Sequence, residues 1–379
     1  MLMDNMEFFL FIRIFIIVIT LICGFLYSKD LSRKIYLVIP IILISLNEGL
    51  RFGRGNDYNV YYFTYIDIVN GIDVRLDDIL FILLCKLNNC IFSQYQGLIF
   101  LMSLILIVCG VIFLRNHVKV LPFALPLFFI YTIDAENLMR WFTAFSFLLI
   151  GLFYLEKRNL KYYVIYSIIA FLFHSGTIVV IPVFLILYYV KKPLMNFLPA
   201  CIVYILIFIF FKTSFMLNLV SYMNIFAGME QYAGYVENAD KWLVGTANQN
   251  FLAEKIKLGV VLMDLAVICI GHRVLKFESK LTYYYNISII GTVLSPGLYQ
   301  IEILYRICLL FKLFQFLIIA YSIYFFIYKK TNMFYYKLLT LIVVLNLVRI
   351  HIFNILIEPY TEKSYLYIWD SMGRNFLMN

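Results

Sequence analysis

The stretch GLIFLMSLILIVCGVIFL, residues 97–114, decides the fold class, because it contains no charged residue and no proline. A helix crossing a bilayer needs about 20 mostly apolar residues. Lipid offers the backbone no partner, so each N–H and C=O must be satisfied within the helix itself. Arg115, His117 and Lys119 follow at once. An apolar block closed by a basic cluster is the pattern of a span ending at an interface.

Working outward, the pattern recurs along the chain. Apolar blocks occupy 8–27, 36–50, 97–114, 121–133, 138–155 and 162–173, then 177–190, 194–211, 256–270, 283–294, 303–328 and 338–357. They predict an all-α polytopic transmembrane bundle of about 12 spans, several short enough to be tilted or broken. Composition agrees: 64% of the 379 residues are hydrophobic, 14% are charged, and mean hydropathy is +0.90. A soluble domain has about 45–50% apolar and about 25% charged residues, so this chain could not cover its own surface with polar groups. The first block lacks a small-residue cleavage site and reads as a retained span. No repeat, low-complexity tract or soluble domain is visible. Residues 1–379 therefore read as one transmembrane domain, with 212–255 as its longest external loop and 358–379 as an external tail.

The net charge of +9 is spread over short clusters between apolar blocks rather than along a basic arm, which speaks for membrane topology and against nucleic acid. The seven cysteines form no C-x-x-C pair, so neither a disulfide framework nor a zinc site is indicated. If the clusters at 29–34, 115–119, 157–161, 191–192, 273–280 and 329–337 are all cytoplasmic, every second connection is accounted for. One segment must then fail to cross. Residues 78–92 carry Lys86, Asn88 and Asn89 mid-segment and are expected as an interfacial or re-entrant helix on the outer side. If they spanned, Arg115–Lys119 would move outside. Both termini face outward in the preferred arrangement. The external connections are then 51–78, 134–140, 174–176, 212–255, 295–302 and 358–379; Trp242 and Trp369 lie in them and Trp141 directly borders 134–140.

The densest polar feature is RFGRGNDYNVYY, residues 51–62. Glycines permit close backbone approach, and the guanidinium groups of Arg51 and Arg54 match phosphate oxygens two at a time. The plain alternative is an interfacial loop of snorkelling arginines and belt tyrosines. Arg140 opens its span after Asp134 and Glu136, and taken alone it is an interface arginine paired with one of those acids. His174 lies between apolar runs in a connection too short to be a solvated loop. It is either hydrogen-bonded structure or an ionisable group with a function. Arg306 has Glu302 one turn earlier, the spacing of a simple helical ion pair. Asp264, Lys312 and Arg349 lie deeper, where a lone charge is costly, and Asp264 with Lys312 is a plausible structural pair. Asp77 and Asp78 would point about 100° apart on a helix, so a metal site is only weakly suggested. No P-loop, nucleophile elbow, metalloprotease helix or dinucleotide fingerprint falls in a credible context.

The order of these features resembles the EpsG family of bacterial Wzy-type polysaccharide polymerases. Its R-x-x-x-G-x-D-Y-x-x-Y stretch after the second span is matched by Arg51, Gly55, Asp57, Tyr58 and Tyr61. Leu138-Met139-Arg140, Phe173-His174-Ser175, Arg306 and Pro359-Tyr360 fit its later positions. Trp141 departs from the pattern, since members usually carry glutamine beside the arginine. The resemblance implies polymerisation of polyprenyl-diphosphate-linked oligosaccharide repeat units into O-antigen, capsule or exopolysaccharide. The reaction would run at the outer face of the bacterial cytoplasmic membrane, without a cofactor or metal. A flippase and a chain-length regulator would be pathway partners. In that reading Arg51, Arg140 and Arg306 clamp the diphosphate, with Arg54 beside them. His174 or Asp57 takes the proton of the attacking hydroxyl, and Tyr58, Tyr61 and Tyr62 contact sugars or anchor the loop. The rivals are a transferase moving one sugar from a polyprenyl-phosphate donor, a flippase of lipid-linked glycans, and a membrane O-acyltransferase. A cysteine introduced beside Asp134 is expected to react with an impermeant external thiol reagent while one beside Arg115 does not. Reversed labelling would scatter the candidate residues over both faces.

Overall fold

Helix α1 (Asn5–Lys29) has 25 residues, about 37 Å of helix, which exceeds the hydrocarbon thickness of a bilayer. The computed structural model describes residues 5–55, 57–72, 74, 78–210, 258–298, 302–329, 334–357 and 366–369. Among these the chain is all-helical; the β-pairing is an isolated bridge between Arg51 and Tyr367. The remaining helices are α2 (Ile35–Gly49), α3 (Tyr58–Val69), α4 (Ile79–Ile91), α5 (Tyr95–Leu114), α6 (Leu121–Tyr131), α7 (Met139–Glu156), α8 (Leu160–Phe173) and α9 (Val180–Tyr189). Then follow α10 (Phe197–Phe210), α11 (Leu258–Phe277), α12 (Thr282–Leu298), α13 (Glu302–Leu313), α14 (Gln315–Tyr328) and α15 (Phe334–Ile357). Among the described residues, four helical stretches are long and apolar enough to cross a membrane: Met6–Lys29, Tyr95–Tyr131, Met139–Glu156 and Leu304–Tyr328. Ile35–Gly49, Ile79–Ile91, Leu160–Phe173, Ser175–Tyr189 and Phe197–Phe210 are apolar but shorter. Most of the expected external loop 212–255 and tail 358–379 lies outside the described residues.

The chain forms two compact units, one of Met1–Val183 with Leu347–Asn379 and one of Phe184–Asn346. In the first, helix directions alternate. A Cβ on Gly24 near the end of α1 would sit 2.8 Å from Pro122 at the start of α6, while Arg13 near the start of α1 reaches Glu136 beyond the end of α6. The two helices are therefore antiparallel. Gly49 at the end of α2 lies against Phe100 in the first turns of α5. The stretch Tyr95–Tyr131 thus doubles back at the 3-10 turn Arg115–Val120, where His117 breaks helical geometry. That turn rests on the end of α7: Asn116 bonds the Glu156 carboxylate and donates to the Phe153 carbonyl at 3.2 Å, and His117 Nε2 lies 3.3 Å from Glu156. The basic connections after α1, α5 and α7 gather at this end. The opposite end collects the starts of α1, α5 and α7 and the ends of α2, α6 and α8.

Helix α4 begins and ends at that opposite end. Asp78, just before it, bonds Arg140 at the start of α7. Asn88, in its last turn, donates to the Tyr65 hydroxyl at 3.1 Å and the Gln94 carbonyl at 2.8 Å. Tyr95 and Gln96, just beyond, both bond Tyr58. Phe81, Cys85 and Asn88 recur at helical spacing and are its buried face. The ends of α4 are therefore both bonded to elements at that end of the first unit.

The second unit is organised around a polar node. Asp264 on α11 accepts from Lys312 Nζ at 2.7 Å, Gln315 Nε2 at 3.1 Å and the Tyr204 hydroxyl at 3.2 Å. Gln315 also donates to Thr292 Oγ1 at 2.8 Å, which ties α12 to the node. The pairing of Asp264 with Lys312 expected from their depth is present. Such a pair adds little net stability over an apolar pair, but breaking it strands one charge. Asp264→Ala is expected to cost about 3–5 kcal/mol, and Asp264→Leu with Lys312→Met to recover most of the loss. The thermal unfolding midpoints of both variants in detergent check this.

Candidate active site

The loop between α2 and α3 carries the arginine–glycine stretch. Gly53 and Gly55 have φ of 68° and 99°, a left-handed region that only glycine enters freely. At Gly55 space also matters, because a Cβ there would stand 2.7 Å from the Glu136 carbonyl oxygen. The loop is pressed against the 3-10 turn Ile133–Glu136 that connects α6 to α7. Arg51 seals the contact. Its Nη1 donates to the carbonyls of Glu136 at 2.8 Å and Arg54 at 3.2 Å, and its Nη2 lies 3.1 Å from Met139 Sδ. The Asp57 N–H donates to Asn137 Oδ1 at 2.8 Å, which pins the start of α3 to the same turn.

The Glu136 carboxylate anchors the turn from beneath. It is paired with Arg13 and with Arg54 Nε at 3.3 Å, and Arg51 Nη1 approaches to 4.0 Å. Arg13, Arg51 and Arg54 are all buried. Glu48, in the last turn of α2, lies 3.9 Å from Arg13 and 4.0 Å from Arg51. Burial alone would raise the Glu136 pKa, but the surrounding guanidinium groups of Arg54, Arg13 and Arg51 outweigh it and hold the carboxyl below its ordinary value. For Arg54, burial disfavours the charge, and the attraction of Glu136 and Glu48 more than restores it.

The C-terminal segment closes this cluster. Phe52 N–H donates to the Leu366 carbonyl at 2.9 Å and Ile368 N–H to the Leu50 carbonyl at 3.0 Å. The Tyr367 hydroxyl donates to Asn47 Oδ1 at 2.9 Å, and the Tyr367 ring lies 5.7 Å from the Arg54 guanidinium carbon.

A second cluster centres on Arg140. Of the two nearby acids, Glu136 is not its local partner. Helix α7 starts only at Met139, so Glu136 and Arg140 do not share helical spacing, and Glu136 is taken by Arg13 and Arg54. Arg140 Nη1 instead meets Asp78 Oδ2 at 2.6 Å, and its guanidinium sits 5.6 and 5.5 Å from the rings of Tyr61 and Phe81. Asp78 Oδ1 accepts the Ser175 N–H at 3.3 Å, so the acid bridges α7 to the connection after α8. The Arg140 side chain keeps 23% of its surface open, whereas Arg51 keeps 1%. Asp77 lies outside the described residues. Among the described residues no cluster of three or more metal-ligating side chains occurs.

His174 lies between these elements. Its Nδ1 accepts the Gly176 N–H at 3.1 Å, and its ring packs edge-to-face on Trp141 at 4.8 Å. That bond assigns the neutral ring's proton to Nε2, which makes Nε2 a donor. Tyr58 is buried, accepts from Gln96 Nε2 at 3.0 Å and has its hydroxyl pKa pushed up to about 12, chiefly by burial. It anchors the loop. Tyr61 is also buried, beneath Arg140. Arg306 lies on α13 in the second unit and is half-buried; the Glu302 side chain and Pro359-Tyr360 lie outside the described residues.

Four participants escaped the sequence reading: Arg13, Glu48, Asn137 and Tyr367. Arg13 had a legible signal, being the lone charge in the block 8–27, since an arginine at membrane depth must face protein. The others follow from tertiary contacts alone.

The EpsG family model matches residues 34–362 of the chain. No curated protein and no solved structure matches it.

Glu136 yields a pH-dependent expectation. Its folded-state pKa is lowered, so its contribution is complete above the ordinary carboxylate range and is lost as pH falls through the lowered value. The parent is expected to lose thermal stability on acidification. Glu136→Gln should start about 3–5 kcal/mol less stable and lose less as the pH falls, a difference read from unfolding midpoints across the acid range.

Proposed function

The chain belongs to the EpsG family, and from that premise we propose that it polymerises polyprenyl-diphosphate-linked oligosaccharide repeat units into a surface polysaccharide. The observation that carries the reading is Arg140: a partly open guanidinium, oriented by Asp78 over two aromatic faces and close to His174 through the Asp78–Ser175 bond. The leaving group of this reaction is a diphosphate. It departs with the electron pair of the anomeric C–O bond while an acceptor hydroxyl forms the new glycosidic bond and gives up its proton. A preorganised guanidinium stabilises the charge that grows on the leaving oxygen, and it does so without reorganising at the moment of reaction. In our reading Arg140 meets the diphosphate, and Arg51 and Arg54 hold the loop that shapes the site; Arg306 is a separate candidate for a substrate anion within the second unit. Asp57 takes the hydroxyl proton. His174, with its proton on Nε2, donates a hydrogen bond to the departing diphosphate. The positive-inside rule places the basic end of the first unit in the cytoplasm and the Arg140 end outside, on a bacterial cytoplasmic membrane.

Arg140→Ala is expected to lower the rate of chain growth by about 10²–10³-fold while the protein stays in the membrane, with Arg140→Lys intermediate because it keeps the charge but loses the fork. The length distribution of the polysaccharide, resolved as a ladder on a gel, checks this. A normal ladder from Arg140→Ala would remove the basis for its role at the diphosphate, and one from Arg306→Ala the basis for a substrate anion at Arg306. A product one sugar longer than the acceptor would assign a single-sugar transferase instead.

A further inference from the structure

Trp369 is 45% exposed, yet it is mounted on a segment tied to the start of the arginine loop. The segment 366–369 is held by two backbone hydrogen bonds to 50–52 and by the Tyr367 hydroxyl on Asn47. The indole stacks face to face on Tyr367, with ring centres 4.6 Å apart and planes 9° apart, and Phe8 meets its edge at 6.1 Å. Tyr367 is itself 2% exposed. One face of the indole is therefore covered and braced from below, and the other is presented outward. The Tyr367 ring is 5.7 Å from the Arg54 guanidinium carbon, which places this platform beside the arginine loop.

We propose that the open face of Trp369 is a sugar subsite, stacking the C–H face of a pyranose ring of the lipid-linked glycan; this rests on the polymerase reading above. A pyranose has one face of polarised C–H bonds, complementary to the negative face of an aromatic ring, while its hydroxyls stay hydrated at the edge. A rigid ring gives up little conformational entropy on binding, which is the advantage of bracing it in advance. A tryptophan that merely anchors a protein at the bilayer surface needs its ring at headgroup level, which does not call for a second ring stacked on one of its faces. Trp369 also sits on a non-helical segment tied to the loop that carries Arg51 and Arg54. Sugar stacked there and diphosphate held at Arg140 would be two ends of one substrate.

The test separates this subsite from the polymerase reading. In the full chain, reconstituted in lipid nanodiscs, intrinsic fluorescence is compared between the parent and Trp369→Phe, so the difference isolates one indole. The probe is the oligosaccharide released by mild acid from the lipid-linked repeat unit of the source cells. It is expected to perturb the Trp369 signal, and Trp369→Ala is expected to weaken its binding about tenfold, with Trp369→Tyr close to the parent. Brominated phospholipid should leave the Trp369 signal unquenched. Quenching by brominated lipid together with no response to the oligosaccharide would overturn the subsite and identify a bilayer anchor. Because binding of the released oligosaccharide needs no turnover, that result leaves the ladder assay on Arg140 to stand or fall alone.

Discussion

The Glu136 carboxylate holds the first unit's candidate site together. It lies in a short 3-10 turn, yet it is gripped by Arg13 from α1 and Arg54 from the arginine loop, while its own carbonyl receives Arg51. Three buried guanidinium groups would be prohibitively costly at this depth without acids among them, and Glu136 with Glu48 supplies the counter-charge. The neighbouring features follow from that pairing. Gly55 has to be glycine because the loop is drawn onto the turn, and Asn137 is carried to where it can bond the Asp57 N–H. Arg140 is set free of Glu136 and turns to Asp78.

The two arginine clusters therefore do different work. Arg51 is spent on internal carbonyls and Arg54 on the Glu136 ion pair, and substituting them would disturb the loop before it disturbed any ligand. Arg140 is held by Asp78 and Tyr61 and keeps an open side, which in the proposed reading is where it meets a substrate anion. The aromatic rings of Tyr61 and Phe81 beneath it favour the charged form and limit its orientations. His174 is held by Gly176 and Trp141, with Nδ1 as the acceptor and the proton of the neutral ring on Nε2.

The polar connections were assigned to one side of the membrane from charge distribution alone, and in the first unit they do share an end. The Arg51 loop, the 133–140 turn, the 174–176 connection and the segment 366–369 are bonded to one another, directly or through Asp78. The basic connections at 29–34, 115–120 and 157–159 lie at the other end. The charge asymmetry could be read because it results from insertion into a membrane, where each loop is sorted by its own local charge. The number of crossings was less legible, since several apolar helices fall short of a full bilayer thickness and length no longer separates a span from a buried segment.

By itself the sequence determined the membrane class, the helical blocks and several of the residues that cluster, Arg51, Arg54, Asp78 and Arg140 among them. These depend on local composition and spacing, or on the high cost of a charge in lipid, which acts on each segment separately. Only the tertiary structure decided the partners. Arg140 with Asp78 spans 62 positions and Arg13 with Glu136 spans 123, separations over which periodicity carries no information. Several acids were within reach of each arginine, and the choice was made by which helix ends the fold brings together. For the same reason Tyr367, buried on a non-helical segment far from the motif in sequence, became part of the site.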